Sequence, residues 1–333
     1  MVTHVPYRRQ AELPPQALAR SQAGPASGLA ARLPPSSFFL VSAVFHYLGP
    51  SLAVLLFFRV PVLGMAWLRI VSAAVVFALW RRPWRLVSRL DRAGRCLLVQ
   101  LGVVLAAMNT LFYLALARLP LSTVGAIEFL GTVLLAAAAA RSRRNVLALA
   151  LTTAGVATIT DVRLTVQPLG FACAFGNGVL FMRYVVLGHR IASSGPARET
   201  RMAAIDQLGA SMLIAAVLIT PVGLGGALRA FGHPVLLLAA AGVGVCSSVI
   251  PYVTDQLAMA RLPRATFALM LALLPMFAVV IGAIVLRQIP TPQDLAGITL
   301  VIAGVAVHQV PRTDTNLTAD ISHTPETNHT PQR

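Results

Sequence analysis

Long apolar stretches, separated by short polar gaps, occupy almost all of the chain between residues 37 and 310. A helix needs about 20 apolar residues to cross the hydrocarbon core of a bilayer, which is about 30 Å thick. By that length, and by the Arg, Pro and Gly residues that interrupt the stretches, the pattern predicts ten membrane spans. They cover residues 37–58, 62–80, 96–117, 122–140, 145–160, 168–188, 203–222, 235–259, 266–286 and 294–310. The expected fold class is therefore an all-α integral membrane protein.

The composition favours a membrane protein over a soluble one. Hydrophobic residues make up 57% of the chain and charged residues 11%, against about 45–50% and about 25% in soluble domains. All 27 basic residues are arginine, and the formal net charge of +16 could suggest nucleic-acid binding. The arginines lie in the gaps between apolar stretches, however, where lipid headgroups would neutralise them. The bilayer, and not a nucleic acid, is the partner we expect.

No motif in the chain indicates a metal, a cofactor or a catalytic centre. Cys96, Cys173 and Cys246 each lie alone in apolar sequence, and the histidines are scattered. The chain has no HExxH motif and no P-loop, which would require a lysine that it lacks. We expect no cofactor, no metal site and no enzymatic activity.

The distribution of arginine predicts how the spans are oriented. With the N-terminal tail in the cytoplasm, ten spans place twenty arginines in inside segments and five in outside loops. Positive residues near helix ends are retained on the cytoplasmic side. The count therefore favours an even number of spans with both termini inside, and disordered polar tails over residues 1–36 and 311–333.

A repeated segment divides the spans into two halves. LALARLP at 114–120 recurs as LAMARLP at 257–263, joining the third span to the fourth and the eighth to the ninth. The repeat unit is five spans, over 37–160 and again over 168–310. Because five is odd, the second copy must enter the membrane from the opposite side, which is the inverted repeat of many secondary transporters.

Several runs resemble the EamA-type branch of the drug/metabolite transporter superfamily, and within it the threonine/homoserine exporters. They are PSLAVLLF with WLR (50–69), MNTLFYLALARLPLSTVGAIEF (108–129) and SSVIPYVTDQLAMARLPRATF (247–267). The resemblance implies a ten-helix inner-membrane exporter of amino acids or other small polar metabolites, with protons as the candidate coupling ion. The chain departs from the family pattern at Leu274, where relatives carry Glu, at Asp255, which replaces a Glu, and at Arg183, which replaces an apolar residue.

Three ionisable residues inside spans are candidates for substrate binding or coupling. Glu128 lies near the middle of the fourth span, where an ionised carboxylate facing lipid would cost about 3 kcal/mol. It could carry a proton, neutralise a substrate amine or serve as a structural hydrogen-bonding group. Asp255 is either functional or a helix-end partner of Arg261. Arg183 either extends to the headgroups or pairs with a substrate carboxylate or with Glu128.

Polar and helix-disrupting residues complete the candidate set. Asn109, Tyr113 and Tyr252 could line a metabolite cavity or hold helices together. A fourth ionisable residue inside a span is Arg69, near the middle of the second span. It is expected to be structural and to pair with backbone carbonyls or an acid. Candidate helix breaks lie at Pro50, Pro251 and Pro275.

The sequence therefore predicts a secondary exporter that works by alternating access, with a small-molecule metabolite as its substrate. Two other functions stay open at this point. One is a translocator of lipids or lipid-linked sugars, and the other is a membrane enzyme that uses Glu128 and Asp255 as acid and base.

Overall fold

The protein is described here from a computed structural model. The structure describes residues 34–88, 90–128, 130, 142–160, 166–193, 201–259 and 274–307. These residues form helices joined by short turns and contain no strand, so the predicted all-α class is confirmed for this part of the chain. The predicted disordered tails lie outside the described residues, except that the first helix already begins at Pro35.

A helix lies at the position of each predicted span. In chain order the helices are α1 (Pro35–Leu56), α2 (Val62–Arg81), α3 (Trp84–Val87), α4 (Arg92–Leu116), α5 (121–128), α6 (Arg143–Thr160), α7 (Pro168–Ser193), α8 (Arg201–Phe231), α9 (Pro234–Gly244), α10 (Ile250–Met259), α11 (Leu274–Leu286) and α12 (Pro292–Val307). A π-helical turn, Val245–Val249, joins α9 to α10 into one continuous rod. Only α3, a single turn after α2, has no counterpart among the predicted spans.

Five of the described helices are long and apolar enough to cross a membrane. They are Ser37–Leu56, Val62–Arg81, Arg92–Leu116, Ile205–Phe231 and Pro234–Asp255. The chain is therefore a multi-pass membrane protein, whereas the total of ten spans stays a prediction. The longest of the five, α8, extends nine residues beyond the predicted end of its span at residue 222.

Short polar motifs determine where two of the helices begin. The Asp91 carboxylate accepts a hydrogen bond of 2.8 Å from the Gly94 backbone amide and caps the N-terminus of α4. At the start of α12, the Thr291 hydroxyl accepts from the Asp294 amide, while the Asp294 carboxylate accepts from the Thr291 amide. This reciprocal pair satisfies backbone donors that a helix start leaves free.

The helices pack mainly across the boundary between the two predicted halves. The most extensive contacts join α6 to α12, α2 to α8, α4 to α7, α4 to α8 and α1 to α10. In terms of predicted spans, the fifth packs on the tenth, the second on the seventh, the third on the sixth and the seventh, and the first on the eighth. The core of the described structure is thus an interface between the first and second halves.

Glycines allow the paired helices to approach each other closely. A Cβ atom at Gly64 of α2 would overlap the backbone of Gly226 in α8, and one at Gly155 of α6 would overlap the backbone of Gly297 in α12. Small residues at helix contacts are typical of membrane proteins, in which association depends on close van der Waals packing.

We predict that Gly64→Ala lowers the thermal unfolding midpoint of the purified protein in detergent. The added methyl group has no space between α2 and α8, and overpacking of this kind costs about 1–3 kcal/mol. Gly225→Ala is the matched control, because Gly225 also lies in α8 but has nothing within 4 Å of the position of its Cβ atom. An equal loss of stability in both variants would contradict close packing at Gly64.

Candidate functional site

A buried arginine links the first half of the protein to the second. Arg69 lies in the middle of α2 and is 6% exposed. Its Nη2 donates to the Ser247 carbonyl oxygen and its Nε to the Ser248 Oγ, both at 3.1 Å. The expectation that Arg69 pairs with backbone carbonyls is therefore confirmed.

The Ser247 carbonyl can accept this bond because of a proline four residues later. In an α-helix the amide of residue 251 would donate to the carbonyl of residue 247, but Pro251 has no amide hydrogen. The helix widens into the π-helical turn Val245–Val249 immediately before it. Such turns often occur at functional sites, and here the guanidinium of Arg69 replaces the donor that the proline removes.

Aromatic rings cover the guanidinium group of Arg69. Its Cζ lies 5.2 Å from the ring centroid of Tyr113 and 5.9 Å from that of Phe112. Both distances fall within the range of cation–π attraction. The Tyr113 hydroxyl also lies close to the side chains of Arg69 and Ser247, although it does not form a hydrogen bond of good geometry.

Glu128 forms the acidic side of the same buried region. It is 5% exposed, and the Asn177 Nδ2 on α7 donates to its Oε1 at 3.3 Å. Arg69 and the hydroxyl groups of Tyr47 and Tyr252 all interact with it electrostatically. This region is called the central polar cluster below, and its members are Tyr47, Arg69, Tyr113, Glu128, Asn177 and Ser247.

The central polar cluster holds several buried polar atoms that no described residue satisfies. They are Tyr47 OH, Arg69 Nη1, Tyr113 OH, Glu128 Oε2, Asn177 Oδ1 and Ser247 Oγ, and Thr123 Oγ1 on α5 has the same property. A buried polar group without a partner costs about 1–3 kcal/mol, so such groups are rare in native proteins. A concentration of them between helices is typical of a site that binds a polar ligand.

The structure brings some of the predicted site residues into this cluster and leaves others outside it. Tyr113 contacts Arg69, and Tyr252 interacts electrostatically with both Arg69 and Glu128. Asn109 is buried, but its amide donates to the Leu105 carbonyl of its own helix at 2.8 Å. Asp255 lies one helical turn beyond Tyr252, near the Ser42 hydroxyl, and its suggested partner Arg261 falls outside the described residues.

Arg183 lies on a different face of α7 from the cluster. Its side chain is exposed and lines a surface groove with Gln100 of α4. The hydrogen-bond partner of Glu128 is instead Asn177, six residues earlier on α7. Since six residues turn a helix by about 240°, Arg183 faces away from Glu128, and the suggested pairing of the two is wrong for this structure.

The three candidate helix breaks differ in their surroundings. Helix α1 continues without interruption through Pro50 to Leu56, so Pro50 does not break it. The segment around Pro251 changes from π-helical to α-helical geometry. Pro275 lies in α11, but residues 260–273 before it lie outside the described part of the chain, so a helix break at Pro275 stays a prediction.

Sequence reasoning assigned Arg69 only a structural role and did not single out Tyr47, Ser247 or Ser248. One signal in the sequence could have identified the serines. They occur three and four residues before a proline inside an apolar span, where a freed carbonyl needs a donor from another helix.

The fold and the central polar cluster together define a multi-pass helical membrane protein with a buried polar site between helices of both predicted halves. Residues 168–308 match the family model described as the EamA-like transporter family. The threonine/homoserine exporter RhtA of Escherichia coli K12 is 30% identical over 259 residues, which cover 77% of this chain and 84% of that protein. RhtA of Salmonella typhimurium LT2 is 30% identical over 263 residues, with the same coverage.

A solved crystal structure shares the fold, with a TM-score of 0.51 at 19% identity over 82% of this chain and 96% of the other. On the sequence matches, the chain belongs to the EamA-like transporter family of the drug/metabolite transporter superfamily. The apolar helices and these relatives point to a multi-pass protein of the bacterial inner membrane.

We predict that Arg69→Lys lowers the free energy of unfolding by about 1.5–3 kcal/mol, the contribution of hydrogen bonds to a charged group. A lysine ammonium lacks the planar fork that lets the guanidinium bond Ser247 and Ser248 at once. Chemical unfolding in detergent measures the effect. Arg118→Lys is the control, because exposed Arg118 donates only within its own helix region, to Leu114, and should change stability by less than about 0.5 kcal/mol.

Proposed function

We propose that this protein is a secondary exporter that carries a small zwitterionic metabolite, an amino acid of the threonine/homoserine kind, across the inner membrane by alternating access. The family membership and the names of the relatives support export of such a substrate. The central polar cluster supports the class of substrate independently of those names.

The observation that carries the proposal is a pair of opposite charges, each with one unsatisfied atom, in the same buried region. Arg69 retains a free Nη1 and Glu128 a free Oε2 among the described residues. An amino acid has a carboxylate and an ammonium group only a few bonds apart. In our proposal Arg69 binds the carboxylate, with Ser247 Oγ as a second donor, and Glu128 binds the ammonium group.

The remaining unsatisfied atoms of the cluster suit a substrate with a polar side chain. Tyr47 OH and Tyr113 OH can donate or accept, and Asn177 Oδ1 can accept. A hydroxyl group such as that of threonine or homoserine can do both. A site built to bond a hydroxyl discriminates strongly against analogues that lack one, because the site's own polar groups then stay unpaired.

Alternating access follows from the two-half architecture, which is itself part of the proposal. The boundaries are those of the repeat, 37–160 and 168–310, related by an axis in the membrane plane. The pairing of helices supports this. If the two halves are exchanged, the first span takes the place of the sixth and the eighth takes the place of the third. The contact between the first and eighth spans then becomes the contact between the sixth and third, and both contacts are present. The cluster draws Arg69 from one half and Ser247 from the other, so rocking of the halves would expose it to either side.

Glu128 is the proposed coupling residue. An ionised Glu128 would bind the substrate ammonium, and a protonated one would leave the site without an unpaired negative charge when the substrate has departed. Exchange of a proton for a substrate cationic group at one carboxyl would link export to the proton gradient. In the proposed orientation, which rests on the arginine count, both termini lie in the cytoplasm and protons enter as the substrate leaves.

We predict that Glu128→Gln reduces proton-gradient-driven uptake of labelled homoserine or threonine into everted membrane vesicles by about tenfold or more. The substitution keeps the size of the side chain but removes the charge that binds the ammonium, and hydrogen bonds to charged groups contribute about 1.5–3 kcal/mol. Asp91→Asn is the control, since Asp91 is exposed and caps α4 far along the helix from the cluster. Unchanged uptake by correctly inserted Glu128→Gln protein would remove Glu128 from the mechanism.

A further inference from the structure

A groove on the outer surface of the protein lies between α4 and α7, away from the central polar cluster. It has a cavity volume of about 280 Å³. Its lining combines apolar side chains, among them Val179, Met182 and Val186, with the polar groups of Gln100, Arg183 and Arg190. The lining positions on α7 recur every three or four residues, so they form one face of that helix.

This face changes character along α7. Its first turns expose apolar side chains to the surroundings, with Leu169 56%, Phe175 39% and Val179 55% exposed. Its last turns expose Arg183 and Arg190 instead. Seven residues separate the two arginines, so they lie about 10 Å apart along the helix, two turns on the same side. An apolar stripe that ends at the guanidinium group of Arg183 matches the profile of a lipid, with its tails beside the stripe and its headgroup beside that group.

Arg183 in particular lacks an anionic partner among the described residues. Among the described residues it forms no hydrogen bond and no ion pair, although it lies about 8 Å of helix rise before the predicted end of its span at residue 188. A guanidinium group keeps its charge under all ordinary conditions, and a charge at this depth in a membrane is costly. Asp and Glu do not occur among the described residues that line the groove, so none of these supplies a carboxylate to neutralise it.

We propose that this groove binds an anionic phospholipid, whose phosphate contacts Arg183 and Gln100 and whose acyl chains lie along the apolar face of α7. The charge of Arg183 selects an anionic headgroup over a zwitterionic one. By the orientation inferred from the arginine count, the C-terminal end of α7 lies at the cytoplasmic leaflet, where basic pockets between helices bind acidic lipids.

Native mass spectrometry of the purified full-length protein tests the proposal. Phosphatidylglycerol and phosphatidylcholine with identical acyl chains are titrated separately into the detergent-solubilised protein. The wild-type protein is expected to retain phosphatidylglycerol with higher affinity. Arg183→Gln should weaken that binding about fivefold, the effect of one guanidinium group near an anionic lipid, and Arg183→Lys should restore most of it. Arg92→Gln, which removes an exposed arginine at the start of α4, is the matched control and should bind as the wild type does.

Three results would overturn the proposal. The first is equal affinity of the wild-type protein for the two lipids, which would leave Arg183 as a residue that extends to any headgroup. The second is unchanged phosphatidylglycerol binding in Arg183→Gln. Inorganic phosphate added in excess should not displace the lipid, and displacement would instead identify a site for a free anion. These measurements involve no transport, so they succeed or fail independently of the proposed export function.

Discussion

The hydrogen bond between Arg69 and the Ser247 carbonyl is the interaction on which the rest of the central site depends. In lipid, a backbone group without an internal partner is costly, so a proline in the middle of a membrane helix needs compensation from a neighbouring element. Pro251 removes a donor from one half of the protein, and Arg69 of the other half supplies one. The same bond offsets part of the free-energy cost of burying the guanidinium group. It also positions Arg69 between the aromatic rings of α4 and the serine pair, with one nitrogen left unsatisfied.

Arg69 and Arg183, the two arginines within predicted spans, differ in how their charge is compensated inside the membrane. Arg69 is buried and bonded mainly to protein groups. Its remaining nitrogen, Nη1, can bind a substrate at the interface of the halves. Arg183 is exposed on the outside of α7 and lacks a protein partner among the described residues, which leaves the lipid to supply one. The first belongs to the proposed transport site, and the second to the contact between the protein and its membrane.

The sequence predicted the positions of the described helices well because hydropathy averages over many residues. It also identified Glu128 as an interior acid, because an ionised carboxylate in the middle of a span is costly when it faces lipid. It could not predict which way a side chain points around a helix. Asn109 bonds to its own helix, and Arg183 faces outward, although both lie in spans that pack against the core. The π-helical turn and the continuation of α8 beyond Pro221 depend on contacts with α2, which helix propensity does not encode.

In the proposed transport cycle, the central polar cluster binds a substrate through both of its charges. Competition in everted vesicles tests this most directly, with homoserine, its N-acetyl derivative and its carboxamide each added against labelled homoserine. Loss of either charge should raise the inhibitory concentration by about tenfold or more, because it leaves Glu128 or Arg69 unpaired in a buried site. Equal competition by the N-acetyl derivative or the carboxamide would contradict a site that holds the substrate between Arg69 and Glu128.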